Sequence, residues 1–365
     1  MKHRIELRER DMTFVNVLDD RAIDLKWGFD PVGGCSEFSF KAPSKYCTEI
    51  DLGANFNVRI YLRNEATKAY DLAYQGRLES HNVSLDKPET IEVQGFGYQS
   101  QLQDIVINTT YSSQEISVIV KSILDNHVVP NTDITYDAGD VPATTFTPNS
   151  IKFEYSTAQE AFAKLADIVG NIEWGVDKNR KFYFKARSEV VGFYYPAGSK
   201  EILNFRMGVS AMEITNRVIV RGDAGYVRTV DYASSQLKYK RRDKVIQNAG
   251  ITTDAVADQF ANAYQDPRND ATDRGSIKIN DNVVFESAIP IPLIEVDTRE
   301  TVYDEKEYDT FLYAGQPPFR IRRISYTVGR NKDLVAVLEL GTNLPEFVEK
   351  IKQIEYNLEQ ATQRS

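Results

Sequence analysis

Three histidines, two cysteines and a surplus of carboxylates are the material for chemistry in this chain of 365 residues. Hydrolysis of a glycoside needs two carboxyl groups roughly 5 to 9.5 Å apart across a cleft. With 53 Asp and Glu residues some such pair arises by chance, and none stands in a recognisable motif. Glu154, Glu160 and Glu173 are better read as surface or capping residues. A metal site needs His, Cys or carboxylates at ligand spacing. His3, His81 and His127 are far apart and none lies in an HExxH or HxH arrangement, while Cys35 and Cys47 have no second pair. They are expected as solvent-exposed histidines and small, reduced core thiols. No GxSxG elbow occurs. Gly95-Phe96-Gly97 is two residues short of a dinucleotide loop and lies between strands rather than before a helix. The expectation is therefore no catalytic, cofactor-binding or metal residues, no cofactor, and a protein that is not an enzyme.

Three further stretches could bind rather than react. Arg221-Gly222-Asp223 spells a cell-adhesion tripeptide, but it ends a strand and reads as a glycine turn. Lys238-Tyr239-Lys240-Arg241-Arg242-Asp243-Lys244 is a basic run with one aromatic, the composition of a nucleic-acid contact. On a chain of net charge -9 it reads instead as a solvated loop or an intersubunit charge contact. Phe347, Ile351, Ile354, Leu358 and Ala361 are spaced 4, 3, 4 and 3 behind Pro345. That is a heptad seam, open to two readings: an amphipathic helix packed on its own subunit, or a threefold bundle. These five residues are the candidate subunit or partner interface.

Composition limits the rest. The length is too great for one ordinary core, so two or three domains are expected. Tyr and Phe, at 20 and 18, favour strands. No apolar run approaches the roughly 20 residues that span a membrane, and Met1 to Arg8 holds no apolar core of a secretory signal. The acidic balance argues against nucleic acid as the main partner.

The positioning elements follow from periodicity. Arg4 to Leu7, Phe38 to Lys41, Phe56 to Leu62, Asp71 to Leu78 and Thr90 to Tyr98 alternate as strands, several interrupted by glycine. Short strands at this spacing suggest a small closed barrel. Ser112-Ser113-Gln114-Glu115 has the pattern of a capping box opening a helix with Ile116, Ile119, Val120 and Ile123 on one face, ending near His127. Residues 130–150 read as a loop. Two overlapping boxes, Ser156 with Gln159 and Thr157 with Glu160, open a second helix with Ala158, Phe162, Leu165 and Val169 on one face and Gly170 at its left-handed cap. Ile172, Trp174 and Val176 alternate, 177–180 turn the chain, and Phe182 and Phe184 alternate back. Asn216 to Gly222 is a further strand. Thr252 to Gln265 is a helix carrying Val256, Phe260 and Tyr264, and 304–309 an acidic turn. Phe319 to Val328 and Leu334 to Leu340 form two strands joined by 329–333.

The order of three of these parts resembles the phage tail hub, or baseplate hub, proteins. The first is Gly33 to Phe40 followed by Asn57 to Tyr61; the second is Gly76-Arg77-Leu78 followed by Val93 to Leu102. The third is the helix and hairpin of Tyr155 to Arg187, with Asn216 to Asp223 as a strand returning to the first barrel. The likeness covers roughly residues 30 to 225; from 226 to 344 it rests on strand content and position. Hubs of contractile injection and type VI secretion spikes share the pattern.

The resemblance implies a mostly β protein with an α+β insertion: two small β-barrel domains, an inserted α/β domain and a C-terminal helix. The expected boundaries are 1–104 for the first barrel, completed by 208–225, then 105–207 for the insertion, 226–344 for the second barrel and 345–365 for the amphipathic helix. It implies a structural virion protein, a trimeric hub joining a sixfold tail tube to a threefold tail tip. The implied partners are two further copies, the tail tube protein, a distal tail ring and spike or fibre proteins, with DNA passing through the ring without specific binding. The implied location is the distal end of the virion tail, after assembly in the host bacterial cytoplasm. The alternatives are a receptor- or carbohydrate-binding tail protein and, less favoured, a tail-associated cell-wall hydrolase.

Overall fold

The structure, a computed structural model, describes residues 2–341 apart from a number of stretches, the longest being 281–292, 302–308, 312–318 and 248–253; residue 1 and residues 342–365 also lie outside the description. The chain opens with seven strands: β1 (His3–Arg8), β2 (Phe14–Asp19), β3 (Ile23–Asp30), β4 (Gly33–Pro43), β5 (Asn57–Arg63), β6 (Tyr70–Ser84) and β7 (Thr90–Gly97). Alternation decides which way they face. In β1 every other residue is buried, and β5 and β7 follow the same rule, so one face of the sheet meets the core. β8 (Val106–Ser112), α1 (Ile116–Ile123), β9 (Ser150–Thr157), α2 (Ala158–Val169), β10 (Ile172–Val176) and β11 (Phe182–Ala186) come next. Then follow β12 (Val191–Tyr195), β13 (Ile202–Ser210), β14 (Arg217–Arg221), β15 (Val227–Asp231), α3 (Ala233–Tyr239), β16 (Asp243–Gln247) and α4 (Asp254–Gln265). The last strands are β17 (Thr272–Ile279), β18 (Leu293–Val296), β19 (Arg299–Thr301), β20 (Asp309–Phe311), β21 (Phe319–Val328) and β22 (Leu334–Gly341).

The protein is mostly β, as expected. The two separate barrels are not seen as closed cylinders among the described residues. Their strands join in one sheet of order β13-β17-β22-β21-β3-β4-β7-β6-β5-β1-β2. The joint is the antiparallel pair β21–β3, in register from Ile324 opposite Phe29 to Val328 opposite Leu25. Tyr326 stacks on Trp27 there, with ring centroids 5.2 Å apart. The late strands thus extend the edge of the early sheet, and one hydrophobic cluster contains Ile5, Phe38 and Val93 together with Ile277, Ile324 and Leu338.

Between β7 and β12 the chain builds a second cluster on α1, α2, β8–β9 and β10–β11. α2 begins at a capping box: the Thr157 amide donates to Glu160 at 2.8 Å, and the Glu160 amide donates to Thr157 Oγ1 at 3.2 Å. Phe162, Leu165, Trp174, Phe182 and Phe184 share this core, with the Phe162 and Phe182 rings 4.5 Å apart. α1 starts differently from its expected box. Glu115 is the cap itself, accepting from the Ser117 and Val118 amides, while Ser112 closes β8. Thr144 also donates to Glu115, by its amide at 2.7 Å and by its hydroxyl, so a loop far along the chain helped choose the helix start.

The strand expected to return to the first barrel does not do so. β14 lies at the centre of a separate three-stranded sheet, antiparallel to β15 and parallel to β16. Nearby segments fill both of its edges, leaving no free hydrogen-bonding groups for the large sheet. β13, paired with β17, joins the large sheet instead. Val218 and Val220 pack with Ala257 and Ala261 of α4; Val256, Phe260 and Gly170 lie outside what is described of side chains or backbone.

Candidate functional site

The expected interface residues Phe347, Ile351, Ile354, Leu358 and Ala361, and most of the acidic turn at 304–309, lie outside the described residues. Among the described residues no three His, Cys, Asp or Glu side chains gather where a metal could sit. His3 corrects the expectation of exposed histidines: it is 1% exposed. Its amide donates to Asp20 Oδ1 at 2.8 Å and its ring nitrogen is 3.5 Å from the same carboxylate, so it fastens β1 to the end of β2. Glu173, expected at the surface, is buried in β10. Cys35 and Cys47 are unpaired and buried. Desolvation, aided by the charge of Asp177, pushes the Cys35 thiol up to about 12, which keeps it protonated and unreactive.

The insertion is fixed to the large sheet by backbone contact. β10 runs parallel to the start of β4, Gly175 opposite Gly33 and Val176 opposite Gly34. Gly34 has φ +92°, and a Cβ there would stand 2.1 Å from the Val176 carbonyl oxygen. Only glycine admits that approach. Beside it the Tyr183 hydroxyl donates to the Pro31 carbonyl at 3.1 Å. Gln101 donates to Asp133 at 2.9 Å and accepts from the Asp133 amide at 3.1 Å. The insertion is seated on the sheet through these contacts.

A groove of about 390 Å³ crosses the outer face of β21, β3, β4 and β7. Small residues such as Gly28, Ser36, Ser39 and Ser325 form its bed, and Lys26, Glu37, Glu79 and Arg323 stand around it. Arg323 is held by both oxygens of Asp30 at 2.8 and 3.2 Å. The groove's tryptophan, Trp27, is 4% exposed, while Phe96 on its lining is 47% exposed.

The end of the three-stranded sheet carries the most built-up surface feature. Asn216 is fully buried before β14. Its side chain donates to the Lys240 carbonyl at 2.7 Å and to Ser235 Oγ at 3.3 Å, and accepts from the Arg242 amide at 2.7 Å. Its carbonyl accepts from Gln236 Nε2 at 2.9 Å and from the Tyr232 amide at 2.9 Å. One asparagine therefore holds both ends of α3 against the sheet. The basic run is not the loop it resembles: Lys238 and Tyr239 close α3, and Asp243 opens β16. Lys238 pairs with Asp270 at 3.0 Å and Arg241 with Asp243 at 3.1 Å. No sequence signal marked α3; the nearest hint was an Asn leading a β-branched run. Arg221 ends β14 and the Gly222 amide donates to Tyr226, which agrees with the turn reading of that tripeptide.

No family model matches the sequence, and no curated protein matches it. Solved structures do. The 43 kDa tail protein of prophage MuSo2 from Shewanella oneidensis aligns at TM-score 0.65 and 13% identity, over 95% of this chain and 99% of that one. A tail protein from Neisseria meningitidis MC58 aligns at TM-score 0.64 and 11% identity, over 95% and 99%. The chain has the fold of phage tail proteins. The prophage tail protein gp18 of Listeria monocytogenes EGD-e aligns at 0.54 and 10% identity, over 99% and 100%. The three alignments cover 95%, 95% and 99% of this chain. Among the described residues no helix is long and apolar enough to cross a membrane.

Proposed function

We propose that this chain is a structural component of a phage tail, a trimeric hub that joins a sixfold tail tube to a threefold tip and carries spike or fibre proteins. The observation that carries the reading is the end-to-end match in fold, at nearly equal chain length, to two tail proteins of different bacteria. The seating of the insertion through Gly33, Gly34 and Gly175 supports it, because an element that transmits position through a tail must not swing. Both tryptophans, Trp27 and Trp174, are packed in the two cores at 4% exposure each, which removes the indole rings from any carbohydrate-binding surface. The absence of catalysis belongs to the same proposal, as do residence in the virion tail and the domain division at about 105, 207, 226 and 345.

The test is assembly. Native mass spectrometry of the full chain, alone and with the tail tube protein, should give three copies, and electron microscopy of tails should place the chain at the distal end. A chain that remains monomeric within assembled tails would sink the reading. Incubation with peptidoglycan or capsular polysaccharide, with and without divalent metal, should release nothing; turnover abolished by one carboxylate substitution would replace this reading with the hydrolase one.

A further inference from the structure

Met212, at 90% exposure, and Leu237, at 85%, are the most exposed large hydrophobic side chains among the described residues. Both belong to one end of the three-stranded sheet. Leu237 is on α3, and Met212 follows Ala211, whose carbonyl accepts from the Arg242 guanidinium. Around them runs Lys238 to Lys244, with five cations and one carboxylate. That gives the run a charge of +4 and leaves -13 of the net -9 on the rest of the chain. The knuckle is rigid because Asn216 holds α3 by side chain and backbone. A surface already ordered when free loses little entropy on binding.

We propose that this knuckle, with Leu237 and Met212 at its tip and Lys240 and Arg241 at its rim, is the surface by which one copy of the chain docks on an acidic face of the next copy. The inference rests on the ring-forming reading above and names its contact. Charge complementarity selects the occupant. A projecting run of +4, brought to +3 by the Asp270 carboxylate against Lys238, on an otherwise acidic chain is attracted to a second copy of that chain. A basic knuckle on an acidic face is also a head-to-tail contact between unlike surfaces, the kind that repeats around a closed ring. A nucleic-acid contact is less favoured, because two exposed apolar side chains at the tip have no use for phosphates.

The experiment compares the full wild-type chain with Met212→Asp/Leu237→Asp and with Lys240→Glu/Arg241→Glu, by native mass spectrometry and sedimentation over a range of concentration and salt. Circular dichroism and thermal melting check the fold, which these exposed substitutions should spare. The wild type should associate, more weakly at high salt. The apolar variant should need at least about tenfold more protein to reach the same association, and the charge variant should lose the salt dependence. Fluorescence anisotropy with a short DNA duplex and a single strand forms the second arm. Variants that associate like wild type overturn the proposal and leave the ring standing. The same result with loss of DNA binding also overturns it and assigns the knuckle to nucleic acid. A wild type that stays monomeric, alone and with tail tube protein, overturns both this proposal and the ring.

Discussion

The insertion and the three-stranded sheet are two small α/β assemblies on the same chain, and they finish their folding to different degrees. In the insertion, α1 and α2 lie with β8–β9 and β10–β11 around a core that includes Phe153, Phe162, Leu165, Trp174 and Phe182. All five residues of β10 are buried, so both faces of that strand are covered. In the three-stranded sheet α4 packs on the face that carries Val218 and Val220. Among the described residues Val218, Val220, Ala257 and Ala261 are buried together, with Tyr226, Val230, Ile246 and Tyr264 partly buried against them, while Val227 and Val245, on the opposite face, are 56% and 51% exposed. The insertion strand β10 is covered on both faces, whereas the three-stranded sheet exposes apolar residues on one.

Substitutions can break or sharpen that contrast, and the largest effect belongs to the insertion. Leu165→Ala should destabilise it by roughly 2–5 kcal/mol in denaturant melts, because a fully packed site leaves a cavity. A loss near zero would mean that this core is as loose as the other. Gly34→Ala tests whether the insertion is rigidly seated. A side chain at φ +92° against the Val176 carbonyl should cost about 3 kcal/mol, seen as a lowered melting temperature together with faster hydrogen exchange in β10. Val220→Ala, equally buried but in the small cluster, should cost only about 1–2 kcal/mol in the isolated chain. If the sheet is covered on assembly, its amides should exchange at markedly lower free energy in the monomer than in assembled tails.

The smallest effects are electrostatic and concern one carboxylate in each region. Burial works to raise the Glu115 carboxyl, but hydrogen bonds from Ser117, Thr144 and Val118 outweigh it and hold it below its ordinary 4.5. Being lowered in the folded state, it stabilises in full above about pH 4.5 and loses that contribution as pH falls through the folded value. Glu115→Ala should therefore cost about 1 kcal/mol near neutral pH and progressively less in acid. Asp258, on α4, is lowered from 3.8 chiefly by its hydrogen bond to Arg228 of β15. The sign is the same, but the pair is exposed, so Asp258→Asn should change the melting temperature little at any pH. A large acid-sensitive loss at Asp258 would show the outlying sheet to be more tightly held than its packing suggests.

Much of the local structure could be read directly from the residues. Thr157 and Glu160 announced the start of α2, since both partners of a capping box lie within one turn. The turn after β10 is equally local: Asp177 accepts from the amides of Asn179 and Lys181 at 2.7 and 2.8 Å. β21 and β22 were visible as two alternating runs with a short link, and they pair antiparallel. The order of these parts also carried the likeness to tail proteins. The knuckle and its asparagine were missed, because Asn216 acts on residues 16 to 26 positions ahead and each of its contacts is unremarkable in sequence.

By itself, then, the sequence determined many of the strands and three of the four helices, which face of several is apolar, and where some of them begin. Those properties depend on neighbours within a few residues, where spacing alone sets the geometry. Tertiary structure alone decided which strands lie side by side. β21 could have closed a barrel of its own but continues the early sheet beside β3, and β14 could have rejoined that sheet but is held between β15 and β16. Every strand offers the same backbone donors and acceptors along its edge, so an alternating run is compatible with many neighbours. The choice depends on side-chain fit across the pair, as where Trp27 meets Tyr326, and on the entropy of closing the chain between them. Neither quantity is written in the residues of one strand.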